Sequence, residues 1–341
     1  MLRESLCKFG KPAMPTPPRR PYRGSWPCRL LSATSLPRPS GTRGWSWFRL
    51  WGGRFSNQIL LMPLKDTLVR YGIHPNPFLC SGTALRGHVS VVLDTVSEGP
   101  TIQNGQAIYE AQALGLFGSG AEHLSRSSPG EYFYAPFPEE RFRRAWQAAT
   151  GEESAVQPGE FRRVRPEGQR WQALLDTIAA IRRQAETAPA TWSSPLKQGA
   201  IERSLLNAVV LAVTADKERT RPAAVGGSAC ERSGVVRRAQ DYLRAHAHKP
   251  VYVLDLCGAT GVSERTLRGA FLDQCGMGPI RYLKLRRLHQ VRRTLRSTVP
   301  EATSVKAVAL ENGFWDLGRF ATEYRQHFRE SPSQTLWSHS L

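Results

Sequence analysis

One arrangement of residues occurs twice near the C-terminal end, and it limits the local fold more than any other stretch. In CGATGVSERTLRGAF, residues 257–271, Gly261 lies four positions after the small Cys257, Ser263 follows, and Leu267 and Phe271 are four apart. In ALENGFWDLGRFATEY, residues 309–324, Gly313 lies four after Ala309, Asp316 follows, and Phe320 and Tyr324 are four apart. Glycine supplies the positive φ that a tight turn between two helices demands. The small residue one turn earlier lets the two helices cross closely. Ser263 and Asp316 each offer a side-chain oxygen to an orphan N–H at the start of the second helix. Leu267, Phe271, Phe320 and Tyr324 then point into a core. Arg265, Thr266 and Arg268 in the first copy, and Arg319, Thr322 and Arg325 in the second, are left facing outward. The pattern predicts two helix-turn-helix units.

The second helix of such a unit fits the major groove of B-DNA, about 12 Å wide, where arginine makes a bidentate contact to guanine. Its N-terminus favours a phosphate. A duplicated hairpin in a plain helical bundle would show the same turns, so charge has to decide. Residues 231–341 hold 18 Lys/Arg against 10 Asp/Glu, a net +8 within a chain of net +19. Residues 1–55 carry 11 basic residues and one acidic, and the middle is close to neutral. A positive C-terminal region seeks a polyanion, which favours duplex DNA over the plain bundle. Between the two units, IRYLKLRRLHQVRRTLRS reads as one helix with Ile280, Leu283, Leu288, Val291 and Leu295 in an apolar stripe. Its length, roughly 27 Å at 1.5 Å per residue, makes a strut between two recognition helices. Helices so held can meet successive major-groove faces, roughly 34 Å apart. Lys284, Arg286, Arg287, Arg292 and Arg293 on the strut are candidates for phosphate contacts. Ahead of the first unit, VVRRAQDYLRAHAHKP reads as an amphipathic helix with Val235, Ala239, Tyr242 and Leu243 inward and His246 and His248 at its C-terminal end, where imidazoles meet the helix dipole.

These residues resemble the AraC/XylS family of bacterial transcription regulators over roughly residues 234–337. The strongest part is GFWDLGRFATEYRQHFRESPSQTL, residues 313–336, where Gly313, Phe314, Asp316, Phe320, Tyr324 and Ser331-Pro332 meet the family pattern. Glu330-Ser331 stands beside that motif where the family usually has glycine, and Cys257 stands where it usually has alanine. The resemblance implies base-reading positions at Arg265, Arg268 and Gly269, and at Gly318, Arg319 and Thr322. It implies an α+β multidomain chain: an N-terminal cupin-like β-barrel sensor and an all-α C-terminal domain with two helix-turn-helix motifs. It also implies a sequence-specific regulator, an effector-responsive activator, with double-stranded DNA, a small-molecule effector and RNA polymerase as partners and room for a homodimer. The location implied is the bacterial cytoplasm.

The remaining sequence fits that division. Residues 1–56 are rich in Pro, Arg, Ser and Trp without a sustained period and read as a disordered basic tail, a transit-like segment, or a stretch before a true start at Met62. Deleting residues 1–55 is then expected to leave the fold intact. Residues 57–165 read as the β domain: HVSVVLDTV puts Val89, Val91 and Leu93 on one face, and Asn104-Gly105 signals a hairpin. Tyr132, Phe133, Tyr134 and Phe137 are candidates for either a pocket wall or the core. Residues 166–215 hold two helices, the first with Leu174, Leu175, Ile178 and Ile181 in a stripe, serving as core or as a dimer seam. Residues 216–233 read as a linker, and 234–338 as the DNA-binding domain.

Enzyme chemistry finds no purchase in the pattern. The six cysteines form no CxxC pair, and His88 and His123 are 35 apart with no HxH, so no metal site and no cofactor is expected. GLFGSG has the wrong spacing for a nucleophile elbow, a P-loop or a dinucleotide fingerprint. The alternatives kept are a metal-dependent cupin-type enzyme fused to a DNA-binding domain, and a non-specific architectural DNA binder. No apolar run is long enough to cross a bilayer.

Overall fold

The computed structural model describes residues 29–33, 46–49, 57–99, 101–104, 106–108, 113–166, 168–188, 192, 194–216, 227–246 and 249–337. Its strands are β1 (Arg29–Ala33), β2 (Ser46–Arg49), β3 (Asn57–Pro63), β4 (Leu68–His74), β5 (Phe78–Thr83), β6 (His88–Ser97), β7 (Thr101–Gln103), β8 (Gln106–Ile108), β9 (Leu114–Phe117), β10 (Glu122–Ser127), β11 (Gly130–Pro138) and β12 (Phe161–Val164). They form a seven-stranded sheet in the order β1-β3-β4-β11-β6-β9-β12 and a five-stranded sheet in the order β2-β5-β10-β7-β8, with every strand pair antiparallel. Neither sheet closes on itself; the two face each other as an open sandwich, an arrangement that a cupin-like sensor domain allows. Gln103 pairs with Gln106 across Asn104, whose φ is 45°, as the hairpin signal required.

The alternation of the strands explains the layering. Val89, Val91 and Leu93 of β6 and Phe133 and Phe137 of β11 point to one face of the larger sheet, under helices α1 (Glu139–Thr150), α2 (Gly168–Thr187) and α3 (Pro195–Thr214). There they join Phe142, Trp146, Leu174, Ile178, Ile181, Leu205 and Val209 in one buried cluster. Each such side chain contributes about 1.5–3 kcal/mol by burial. The stripe expected to serve as core or dimer seam is therefore packed internally, with Leu175 half-buried at its edge. Val92, Tyr132 and Tyr134 point the other way, toward Phe78 and Cys80 of the smaller sheet. Among the expected aromatic candidates, the two tyrosines face the space between the sheets and the two phenylalanines face the helices.

Two segments expected in an irregular tail are strands: β1 pairs with β3 and β2 with β5. The remainder of residues 1–56 lies outside the described residues. Met62 sits inside β3, 1% exposed, so a chain beginning there would lack most of that strand. Truncation after residue 55 would remove two edge strands, β1 beside β3 and β2 beside β5, so it would not leave the fold intact as the sequence pattern suggests.

The C-terminal helices are α4 (Gly227–Ala245), α5 (Val253–Thr260), α6 (Glu264–Cys275), α7 (Pro279–Ser297), α8 (Val305–Glu311), α9 (Leu317–Phe328) and α10 (Pro332–Trp337). Helix α4 begins seven residues ahead of the expected boundary at 234, inside the stretch read as linker. The helical domain rests on the outer face of the smaller sheet. Leu79 of β5 and Leu124 of β10 belong to its buried cluster, and Glu122 lies 3.7 Å from both Arg237 and Arg244.

Candidate nucleic-acid interface

The first unit is built as its turn chemistry requires. Helix α5 ends at Gly261, φ 69°, whose N–H donates to the Cys257 carbonyl at 2.9 Å. The Ser263 hydroxyl accepts from the Thr266 N–H at 3.3 Å and opens α6. Leu267 and Phe271 are fully buried, and Phe271 packs edge-on to Tyr282 with ring centres 5.2 Å apart. Arg265, Thr266 and Arg268 stand exposed on one side of α6. The serine therefore serves as a cap, and the arginines carry the outward chemistry.

The second unit repeats this with a different joint. Helix α8 ends at Asn312, and Gly313 beyond it holds φ 77°. A Cβ at Gly313 would also come within 3.2 Å of Arg287 and 3.3 Å of Pro250. Asp316 Oδ1 accepts from the Arg319 N–H at 2.9 Å and opens α9. Phe314, Phe320, Tyr324 and Phe328 form a ladder of rings at 4.9, 5.6 and 4.6 Å. Outward stand Arg319, Thr322 and Arg325. The Thr322 hydroxyl donates to the Gly318 carbonyl at 3.0 Å. Trp315, 74% exposed beside the cap, escaped the sequence reading. Its signal was the Phe314-Trp315 pair in a tight turn, where only one ring can face inward.

Helix α7 separates the two units, and the structure sorts its cations. Arg286 donates to the Leu243 carbonyl at 2.6 Å, Arg287 to the Gly313 carbonyl at 3.3 Å, and buried Arg292 pairs with Glu330 at 2.8 Å. These expected phosphate contacts act instead as ties between the halves. Lys284 pairs with Glu323 of α9 at 2.8 Å, and Arg293 stays exposed. Ile280, expected in the apolar stripe, is 66% exposed; Tyr282 and Leu285 take the inner face with Leu283, Leu288, Val291 and Leu295. Pro279 starts the helix one residue earlier, which leaves Ile280 in the first, outward turn.

Glu323 couples the strut to α9. It also receives the Arg319 Nε at 3.1 Å. Burial works to raise its carboxyl, but the hydrogen bonds from Lys284 and Arg319 outweigh this and hold it below the usual carboxylate range. Glu323→Gln removes one negative charge beside α9 and releases both cations. Binding to an unrelated duplex, followed by fluorescence anisotropy across a salt series, is expected to tighten a few-fold, and the salt slope to steepen by about one counterion. An unchanged slope would show that neither cation reaches phosphate.

Between the sheets lies a cavity lined by Arg70, Phe78, Gln103, His123, Tyr132 and Tyr134, with Ser125 and Ser127 on the same wall. Burial lowers the imidazole pKa of His74 to about 4 and of His123 to about 3, so both are neutral at pH 7. His88 sits at the start of β6 near the surface, apart from His123, and among the described residues no three His, Cys, Asp or Glu side chains cluster as a metal would need. Strand β10 has this cavity on one face and the helical domain on the other. His123, Ser125 and Ser127 point inward, while Leu124 joins the helical cluster and Arg126 lies so close to Gly276 that a Cβ there would strike its guanidinium.

A helix-turn-helix domain family matches residues 256–337. The XylDLEGF operon transcriptional activator 2 of Pseudomonas putida is 31% identical over 134 residues, which cover 39% of this chain and 82% of that protein. The chain belongs to the AraC/XylS family. The probable thc operon regulatory protein of Rhodococcus erythropolis is 42% identical over 103 residues, but this match spans 30% of the chain and only 31% of that relative. Among solved structures, the AraC-like transcriptional activator CuxR aligns over 77% of this chain and 86% of its own, at 15% identity and a TM-score of 0.36. An AraC-family regulator from Rhodopseudomonas palustris aligns over 30% of this chain and 95% of its own, at 36% identity and a TM-score of 0.28. In this AraC/XylS chain Gly269 and Gly318 hold two of the implied reading positions without a side chain. The outward groups beside them are Arg265 and Arg268 on α6 and Arg319, Thr322 and Arg325 on α9.

Proposed function

We propose that the chain is a sequence-specific, effector-responsive transcription activator that reads two neighbouring major-groove segments of double-stranded DNA. The observation that carries this reading is the pair of capped, glycine-turned helices with exposed arginines, one at each end of a single helix. Nineteen residues of α7 make a rod of roughly 28 Å, matched to one turn of B-DNA. Arg265 and Arg268 read one box, and Arg319 and Thr322 the other. One chain supplies both contacts, so recognition of a composite site does not require a second copy. The reading assigns no catalytic step to the chain, and RNA polymerase is its proposed partner in activation. Footprinting on a selected site tests it: protection of two short boxes about one helical turn apart supports it, and uniform coverage of any duplex contradicts it.

The β domain is the proposed effector domain, and β10 is its proposed link to the reading helices. A ligand that moves His123, Ser125 or Ser127 moves a strand whose opposite face carries Glu122, Leu124 and Arg126 against the helical domain. Glu122→Lys sets a cation against Arg237 and Arg244. Operator affinity is expected to change by about two- to tenfold although Glu122 faces no DNA-reading helix. Identical affinity and identical effector response in this variant would remove β10 from the account.

A further inference from the structure

We propose that Trp315, with Tyr252 beside it, forms a third contact with duplex DNA, an aromatic saddle on the sugar-phosphate backbone between the two boxes. The inference rests on the proposed reading of DNA by α6 and α9 and gives a partner to a surface that this reading leaves unused. Trp315 is 74% exposed and Tyr252 50%. Both rings leave the joint where the two helix-turn-helix units meet. Tyr252 is the N-cap of α5 in the first unit, and Trp315 precedes the Asp316 cap of α9 in the second. Pro250, two positions before Tyr252, abuts Gly313, two positions before Trp315. A Cβ at Gly313 would lie 3.3 Å from that of Pro250. Arg287 of α7 closes the joint. Its guanidinium donates to the Gly313 carbonyl and lies 5.9 Å from the centre of the Tyr252 ring and 5.5 Å from that of Phe314.

The chemistry of the joint suits a nucleic-acid backbone. Phe314 takes the inward place in the turn, at 9% exposure, so Trp315 adds nothing to the core. Trp and Tyr each combine an apolar face with one donor, N–H or O–H. A deoxyribose offers an apolar face, and the phosphate next to it offers only acceptors. The domain presents exposed cations with the pair: Arg265 and Arg268 on α6, Arg319 and Arg325 on α9. The carboxylates nearest in sequence are turned onto backbone N–H groups, Asp255 onto that of Tyr252 at 2.8 Å and Asp316 onto that of Arg319 at 2.9 Å. Position points the same way. A recognition helix meets the groove with its N-terminal residues, and the backbone strands are the groove walls. Trp315, one residue ahead of the α9 cap, reaches a wall as α9 enters. Gly318 keeps the approach open, since a Cβ there meets only Asp316 Oδ1, at 3.6 Å. Backbone contacts fix register and orientation and carry no sequence information. Tied through Pro250, Gly313 and Arg287, the two rings set the spacing between the boxes and leave the sequence of each box to the arginines.

The test uses the full chain, a duplex selected by it from a random pool, and an unrelated duplex, with fluorescence anisotropy at fixed salt. Trp315→Ser is expected to weaken binding to both duplexes by about tenfold, as the loss of a hydrogen bond to a charged group does, and to leave base preference unchanged on reselection. Trp315→Phe, which keeps a ring without the N–H, is expected to recover part of the loss. Tyr252→Phe is expected to weaken both duplexes by about threefold. Melting temperatures within about 2 °C of the parent show that the fold is intact. Selected duplexes carrying a single methylphosphonate, one for each position between the boxes, locate the contact. One of them is expected to weaken the parent by about tenfold and Trp315→Ser not at all. The proposal is overturned if Trp315→Ser binds both duplexes as the parent does, if it relaxes a base position, or if every methylphosphonate affects parent and variant alike. Unchanged DNA binding with lost activation of transcription in vitro would give the surface to RNA polymerase and overturn it too. Parent-like binding by Tyr252→Phe would strike Tyr252 from the contact. A parent chain that binds no duplex would instead remove the reading of DNA by α6 and α9, and this inference with it.

Discussion

Phe320→Ala is expected to destabilise the helical domain by about 3–5 kcal/mol and to abolish recognition of one of the two boxes. Phe320 is 2% exposed and sits between Phe314 in the turn and Tyr324 one helical turn on. Its removal leaves a void where α8, α9 and α7 meet. The aromatic ladder cannot close that void by small shifts, because Tyr324 is pinned by its hydroxyl, which donates to Thr335 at 2.9 Å. Burial raises that phenol to about 12, so it remains a neutral donor throughout the working range. Thr335 in turn bonds Glu330, the partner of Arg292 on the strut. Denaturant unfolding gives the cost directly, and footprinting shows which box is lost. A cost below about 1 kcal/mol would mean that α9 is not held by this ladder.

Replacing the outward arginines should act on recognition and leave stability alone. Arg265→Ala, Arg268→Ala and Arg319→Ala are each expected to cost about 1–3 kcal/mol of affinity for the true site and to relax one base position. The first two map to one box and the third to the other. Arg319 should fall at the low end, because it is already engaged by Glu323 and must exchange that contact for a base edge. Arg265 and Arg268 pair with no carboxylate among the described residues and have no such exchange to make. Melting temperatures should stay within about 2 °C of the parent, as expected for exposed positions. Selection sequencing with each variant reads the result. Unchanged base preference for all three would place recognition elsewhere on the domain, with exposed Trp315 and Arg325 the nearest candidates.

The parts of this molecule governed by local rules were legible in its sequence. Turn glycines, caps and the four-residue spacing of Leu267 with Phe271 and of Phe320 with Tyr324 depend on neighbours a few positions away, and they fall where the pattern places them. Period-two alternation likewise sorted Val89, Val91 and Leu93 to one face of β6. The fates of the cations on α7 were not legible. Arg286, Arg287 and Arg292 look alike in sequence, yet each finds a carbonyl or carboxylate 26 to 43 positions away that only the fold supplies. The strands at 29–33 and 46–49 were hidden for a related reason. An edge strand is stabilised by the partner it pairs with rather than by its own pattern, and Pro, Ser and Arg around them masked the weak signal. The Arg70 cavity required both sheets, since its walls come from strands far apart in the chain.

The central claim is that two arginine-bearing helices on one rod read two adjacent grooves. Selection of bound duplexes from a random pool with the full chain, at fixed salt, tests it most directly. The account predicts enriched sites with two short conserved boxes about one helical turn apart, one altered by Arg268→Ala and the other by Arg319→Ala. A pool that yields no enriched sequence, or a single box indifferent to both substitutions, would contradict it.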